Sequence, residues 1–171
     1  MAAFTVRRRT PLTTAEVWRR LTDWPAHARR VPLTRVTGVT PGPAAGTVGV
    51  GTRFTVRTGV GRFGFDDPME VVRWEPPGPG AAATGSYRLE KRGRVITGWA
   101  EITVDGTTPA GARVVWTEDL RIRGFPRVLD PVVRGTGRVV FGRALSGLLS
   151  SPASDGTGGD GGDRGDSAGG R

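Results

Sequence analysis

The sequence predicts an α+β fold in which one curved antiparallel sheet is closed over by a long C-terminal helix. Three observations predict it. Apolar residues recur with helical spacing over 125–150, period-two alternation fills roughly 34–123, and short turns separate the alternating runs. Short turns join sequence neighbours antiparallel, and one-sided alternation leaves one face of the sheet solvated. The helix stripe and the apolar sheet face must then bury each other. Where the two stand apart, the gap is a small-molecule cavity.

Taken in order, Phe4 and Val6 alternate with Thr5 and Arg7, a short strand with one apolar side. Thr13-Thr14-Ala15-Glu16 is a capping box, with Thr13 capping a helix and Glu16 expected to reach back. Val17, Trp18 and Leu21 give that helix its apolar side, and Trp24-Pro25 opens a second short helix, ended by Pro32. Helices this short must plug one end of something larger. Strands are then expected over 34–40, 51–58, 63–74, 83–91, 94–104 and 112–123. Pro68 should mark a bulge or an edge position, since it cannot donate to a ladder. In the last strand Val114, Trp116, Glu118, Leu120 and Ile122 share the face toward the terminal helix, so Glu118 lies on an apolar wall. Arg113, Thr117, Asp119 and Arg121 share the other face.

The terminal helix carries its stripe on Leu129, Val132, Val133, Val140, Phe141, Ala144, Leu145 and Leu148. Pro126 suits a first turn, while Pro131, Gly135 and Gly137 predict a kink or a loose first half. Residues 1–150 thus form one domain. Residues 151–171, rich in Gly, Asp and Ser without periodic apolar positions, are expected to be a disordered tail. Its Arg164-Gly165-Asp166 is an adhesion tripeptide that such low-complexity sequence produces by chance.

The 171 residues are 36% hydrophobic, enough for one domain with a core. Cysteine is absent, which excludes disulfides, thiol nucleophiles and thiolate metal sites; with a single histidine, no metal is expected. No run of about 18 apolar residues is present to span a bilayer, and Arg7, Arg8 and Arg9 interrupt the start where a signal peptide would be apolar, so a cytoplasmic protein is expected. The formal net charge is +9; the tail holds four aspartates against two arginines, leaving +11 on the body. Lys91 is the only lysine, and the arginines fall at alternate strand positions, the pattern of a solvated face. Specific nucleic-acid binding is not expected from that scatter, although the charge would attract an anionic surface and is compatible with transient membrane contact.

The segments Ala15-Glu16-Val17-Trp18 with Thr22-Asp23-Trp24, Gly49-Val50-Gly51-Thr52-Arg53-Phe54, Met69-Glu70-Val71-Val72-Arg73-Trp74-Glu75-Pro76-Pro77 and Arg113-Val114-Val115-Trp116-Thr117-Glu118 carry a resemblance. Together they resemble the START-like (SRPBCC) superfamily, in its bacterial polyketide cyclase/dehydrase and lipid-transport branch, over about residues 3–150. The resemblance implies the helix-grip fold, a pocket for an apolar ligand and no cofactor. It transfers no catalytic residue, because this fold hosts lipid carriers, aromatic cyclases, hormone binders and chaperone-like proteins alike. A monomer or a homodimer fits it.

The expected pocket wall is Phe54, Val56, Phe65 and Tyr87 with Ala100, Ile102, Trp116, Glu118 and Leu120, facing Val133 and Val140 of the helix. Glu118 is a candidate acid–base group, since a carboxyl on an apolar wall holds its proton to higher pH, and Asp66-Asp67, with Asp67 the candidate, could supply a second near the pocket mouth after Phe63-Gly64-Phe65. For Glu118 the competing role is a structural partner to an arginine or a helix N-terminus, and for Asp67 a turn or bulge position. His27, between two alanines on a short helix, reads as an exposed side chain. The GxGxxG spacing of Gly59, Gly61 and Gly64 leads into Phe65-Asp66-Asp67-Pro68, which cannot open a helix, so it reads as a hairpin turn. The leading function is binding of a hydrophobic or aromatic metabolite. A cyclase or dehydratase acting on a polyketide-like chain, and a basic docking protein for ribonucleoprotein or anionic membrane, are the alternatives.

Overall fold

The structure, a computed structural model, describes residues 2–29, 33–42, 48–60, 63–107 and 111–150. The expected tail, the Arg-Gly-Asp tripeptide, Pro32 and Gly61 lie outside the described residues, as does the side chain of His27. The chain runs β1 (Ala2–Thr10), α1 (Thr14–Thr22), α2 (Trp24–Ala28), β2 (Thr34–Thr40), β3 (Arg53–Val60), β4 (Phe63–Glu75), β5 (Thr84–Arg92), β6 (Ile96–Gly106) and β7 (Ala112–Ile122). A 3-10 turn (Arg127–Leu129) then leads into α3 (Asp130–Ser150). The seven strands form one antiparallel sheet in the order β1-β7-β6-β5-β4-β3-β2, so β1 closes the meander by pairing with β7.

Alternation sets the inner face, and two irregularities adjust it. The β4–β5 register shifts between Val71 and Arg73. That bulge changes the parity of β4, so Asp67, Met69 and Val71 face inward before it and Trp74 after it. Pro68 is not at this bulge. Pairing with β5 begins at Met69, so Pro68 falls where β4 has no neighbour on that side. Gly59 and Gly64 pair across β3 and β4, as a hairpin requires.

The two short helices plug one end. Thr13 caps α1 by accepting from the Glu16 N–H at 3.3 Å, but the Glu16 carboxylate does not reach back; it binds Arg19 and Arg20 instead. Those two guanidiniums hold Glu16 at a pKa of about 2. Trp18 packs edge-on against Trp74 and Tyr87, and Trp24 stacks on Phe54 with ring centroids 4.2 Å apart. Arg20 Nη1 donates to the Leu148 carbonyl at 3.0 Å, tying α1 to the C-terminal end of α3.

That anchorage leaves α3 asymmetric. Ala144, Leu145 and Leu148 are buried, whereas Leu129 and Val132, expected on the same buried stripe, are exposed, Val132 at 61%. The helix is held from Gly137 onward and stands off over its first two turns. It does not break: Pro131 sits in the first turn, where no intrahelical donor is needed, and Gly135 and Gly137 stay within the helix. The two glycines differ. Around Gly135 there is open space, but a Cβ at Gly137 would come within 2.6 Å of the Phe4 ring, so the helix rests on Phe4 there. Gly135→Ala is therefore expected to stabilise by about 0.5–1 kcal/mol. Gly137→Ala should lose that gain and more, about 1–3 kcal/mol from overpacking. Denaturant unfolding of the two variants checks the contrast; equal midpoints would show that Phe4 yields freely.

Candidate functional site

Between the sheet and α3 lies a cavity of about 520 Å³. It falls within the range of about 300–1,000 Å³ found for small-molecule sites. Strands β3 and β4 supply Phe54, Val56, Phe65 and Met69; β5 to β7 supply Tyr87, Ala100, Trp116 and Leu120; α3 roofs it with Val133, Val140 and Phe141. Of the wall positions expected from sequence, Ile102 alone does not reach the cavity. It is fully buried, paired with Tyr87 and Trp116 within the packed part of the core.

Charge enters this apolar wall at three residues. Asp67 on β4, Lys91 on β5 and Glu118 on β7 all line the cavity, and all are buried. Lys91 Nζ lies 3.2 Å from Asp67 Oδ2 and 3.1 Å from Glu118 Oε1. Trp116 Nε1 donates to Glu118 Oε2 at 3.1 Å. Lys91 and Glu118 meet across β6, where the intervening pairs are Gly98 with Lys91 and Ala100 with Glu118. Small residues at these two positions leave room for the contact.

Two acids share one ammonium in this cluster. Burial raises the pKa of Glu118, against the pull of Lys91 and the hydrogen bond from Trp116. Burial likewise raises that of Asp67, again opposed by Lys91. Lys91 is pulled down by burial, but Glu118 and Asp67 together more than offset this and hold the ammonium above its ordinary value. The ammonium therefore stays charged, and the surplus negative charge favours retention of a proton on one of the two acids. Asp67 Oδ1 is buried without a hydrogen-bond partner among the described residues.

Sequence reasoning placed Glu118 on the apolar wall and allowed it a structural partner, with an arginine or a helix N-terminus as examples; the partner is Lys91. Asp67 is an inward strand residue, not a turn residue, and its neighbour Asp66 points out to Arg57 at 3.1 Å. The Tyr87 ring lines the cavity, yet its hydroxyl is committed to the Leu21 carbonyl at 3.1 Å and is not free to orient a ligand. Lys91 was findable in principle. Tyr87, Leu89 and Lys91 share a parity, and that parity faces inward.

No protein-family model matches the sequence, and no curated protein matches it either. Solved structures do match in shape. A START superfamily protein from Mycobacterium smegmatis superposes with a TM-score of 0.62 at 11% identity, covering 86% of this chain and 96% of that one. The Zhui aromatase/cyclase from a Streptomyces species gives 0.57 at 16% identity, over 86% and 90% of the two chains. A norcoclaurine synthase from Thalictrum gives 0.52 at 14% identity, over 86% and 92%. No helix among the described residues is long and apolar enough to cross a membrane. These likenesses are of shape, and they show the fold: the chain has the START-like helix-grip fold.

Proposed function

We propose that this chain binds a small apolar or aromatic molecule, lipid- or polyketide-like, in the cavity between the sheet and α3. The observation that carries this reading is an apolar space of about 520 Å³ whose charged wall residues are Asp67, Lys91 and Glu118. Apolar burial supplies the affinity, at about 25 cal/mol per Å² removed from water. The charge cluster sets orientation by favouring a ligand whose hydroxyl or carbonyl reaches it. Native mass spectrometry of protein purified from its host should show a co-purifying apolar molecule. A hydrophobic fluorophore should enter the cavity, and Val140→Trp, which fills it, should weaken that uptake by about tenfold or more, or ~1.4 kcal/mol. Wild-type protein that takes up no such probe would defeat the proposal.

A second reading rests on the same cluster. An acid that retains its proton beside an ammonium, inside an apolar cavity, can move protons on a bound polyketone, as a cyclase or dehydratase requires. The likeness to the aromatase/cyclase supports it at the level of the fold. In that reading the cavity folds the chain and Glu118 or Asp67 carries the proton.

A further inference from the structure

The mouth of the cavity, rather than its wall, carries a surface that the ligand-binding reading does not use. The start of β2, the β3–β4 and β5–β6 connections, the end of β7 and the start of α3 all lie at one end of the sheet, as the strand register requires. Large apolar side chains stand in solvent there. Val128 is 81% exposed, Val132 61% and Phe125 49%, with Leu129 beside them. Across the mouth Leu33 is 64% exposed, tied to the end of β3 by the Gly59 N–H, with its backbone at φ 60, a left-handed conformation uncommon for leucine. Phe125 and Val132 also line the cavity, so the apolar rim is continuous with the interior.

Arginines surround this rim. Arg94 lies in the β5–β6 turn, Arg121 and Arg123 flank the last residue of β7, and Arg127 opens the 3-10 turn. All four are exposed, and none has an acidic partner among the described residues. Scattered along the sequence, they are gathered by the topology at the end where the cavity opens.

We propose that this rim docks on a bilayer containing anionic lipid, with the apolar side chains entering the headgroup boundary and the arginines on the phosphates. Charge complementarity selects the occupant. Exposed aliphatic and aromatic side chains interleaved with unpaired arginines are the composition of an interfacial membrane contact. The apolar groups come from separate connections around an opening, an arrangement that a bilayer accepts without a matching shape. Docked in this way, the cavity would open toward the hydrocarbon and its ligand would exchange without crossing water. An acidic protein would satisfy the arginines but needs its own apolar complement to cover Val128 and Leu33.

Flotation of the full chain with vesicles tests this. Wild type should float with vesicles of phosphatidylcholine mixed with phosphatidylglycerol, progressively less as salt rises, and little with phosphatidylcholine alone. Arg123→Ser and Arg127→Ser should each weaken binding roughly fivefold. Val128→Asp and Leu33→Ser, on opposite sides of the mouth, should each lose most of it while keeping the wild-type melting temperature. Fluorophore uptake read on the same samples keeps the cavity reading separate, because these four positions leave its wall intact. Failure of wild type to float with the mixed vesicles overturns the proposal. So does flotation of Val128→Asp and Leu33→Ser equal to wild type, or retention on an immobilised acidic protein without vesicle binding.

Discussion

Replacing Lys91 by methionine is expected to destabilise the protein by about 3–5 kcal/mol at neutral pH. The ammonium is the shared counter-charge of Asp67 and Glu118, 3.2 and 3.1 Å away, and all three side chains are buried. Methionine keeps much of the shape and none of the charge, so two acids are left facing each other in an apolar wall. The loss should depend on pH with a definite sign. Both acids already lie above their ordinary values because of burial, and removing Lys91 raises them further. Such a group contributes stability fully below its unfolded pKa and loses it as pH rises through its folded value. The variant should accordingly recover toward wild type as pH falls. Glu16, held at about 2 by Arg19 and Arg20, acts in the opposite sense and loses its contribution as pH falls toward that value. Adding Asp67→Asn and Glu118→Gln to the Lys91 variant should restore much of the loss at neutral pH, since no buried charge then remains uncompensated. Denaturant unfolding across a pH series measures all of this. A Lys91→Met protein as stable as wild type at neutral pH would show that the three groups are not a unit.

The difference between what sequence disclosed and what it hid follows the range of the interactions. Alternation is local, so the inward face of β7, with Trp116 and Glu118 side by side, could be read directly, as could the hairpin turn and the plug built on Trp18 and Trp24. The Asp67–Lys91–Glu118 contact spans β4, β5 and β7 and depends on small residues at Gly98 and Ala100 of the strand between. No spacing in the chain expresses that. Trp74 was hidden by the bulge after Val71, which reverses the parity that alternation assumes. The stripe on α3 was legible as periodicity, yet Leu129 and Val132 are exposed because they precede Gly137, the first buried position of the helix. Periodicity reports which face is apolar. It does not report whether anything covers it, and here the uncovered part forms the roof and lip of the cavity.

Glu118→Gln separates the two readings of that cavity. The substitution leaves one ammonium to one carboxylate, a balanced Asp67–Lys91 pair, and an amide oxygen that can still accept from Trp116 Nε1–H. The amide NH2 then faces the Lys91 ammonium, donor against donor in a buried site, so stability should fall by about 1–3 kcal/mol even though one buried carboxyl charge is removed. The functional consequence differs sharply. A side chain that only orients a ligand can be replaced by its amide with a few-fold change in affinity, and uptake of a hydrophobic fluorophore should shift no more than that. A carboxyl that transfers a proton cannot be replaced, and turnover of a polyketone substrate should fall by about 10²–10⁴-fold. The dependence of the remaining rate on pH should also lose the limb set by the raised acid. If turnover and its pH profile survive the change, Glu118 is not the proton carrier, and Asp67, the other acid on Lys91, becomes the group whose amide variant must abolish it.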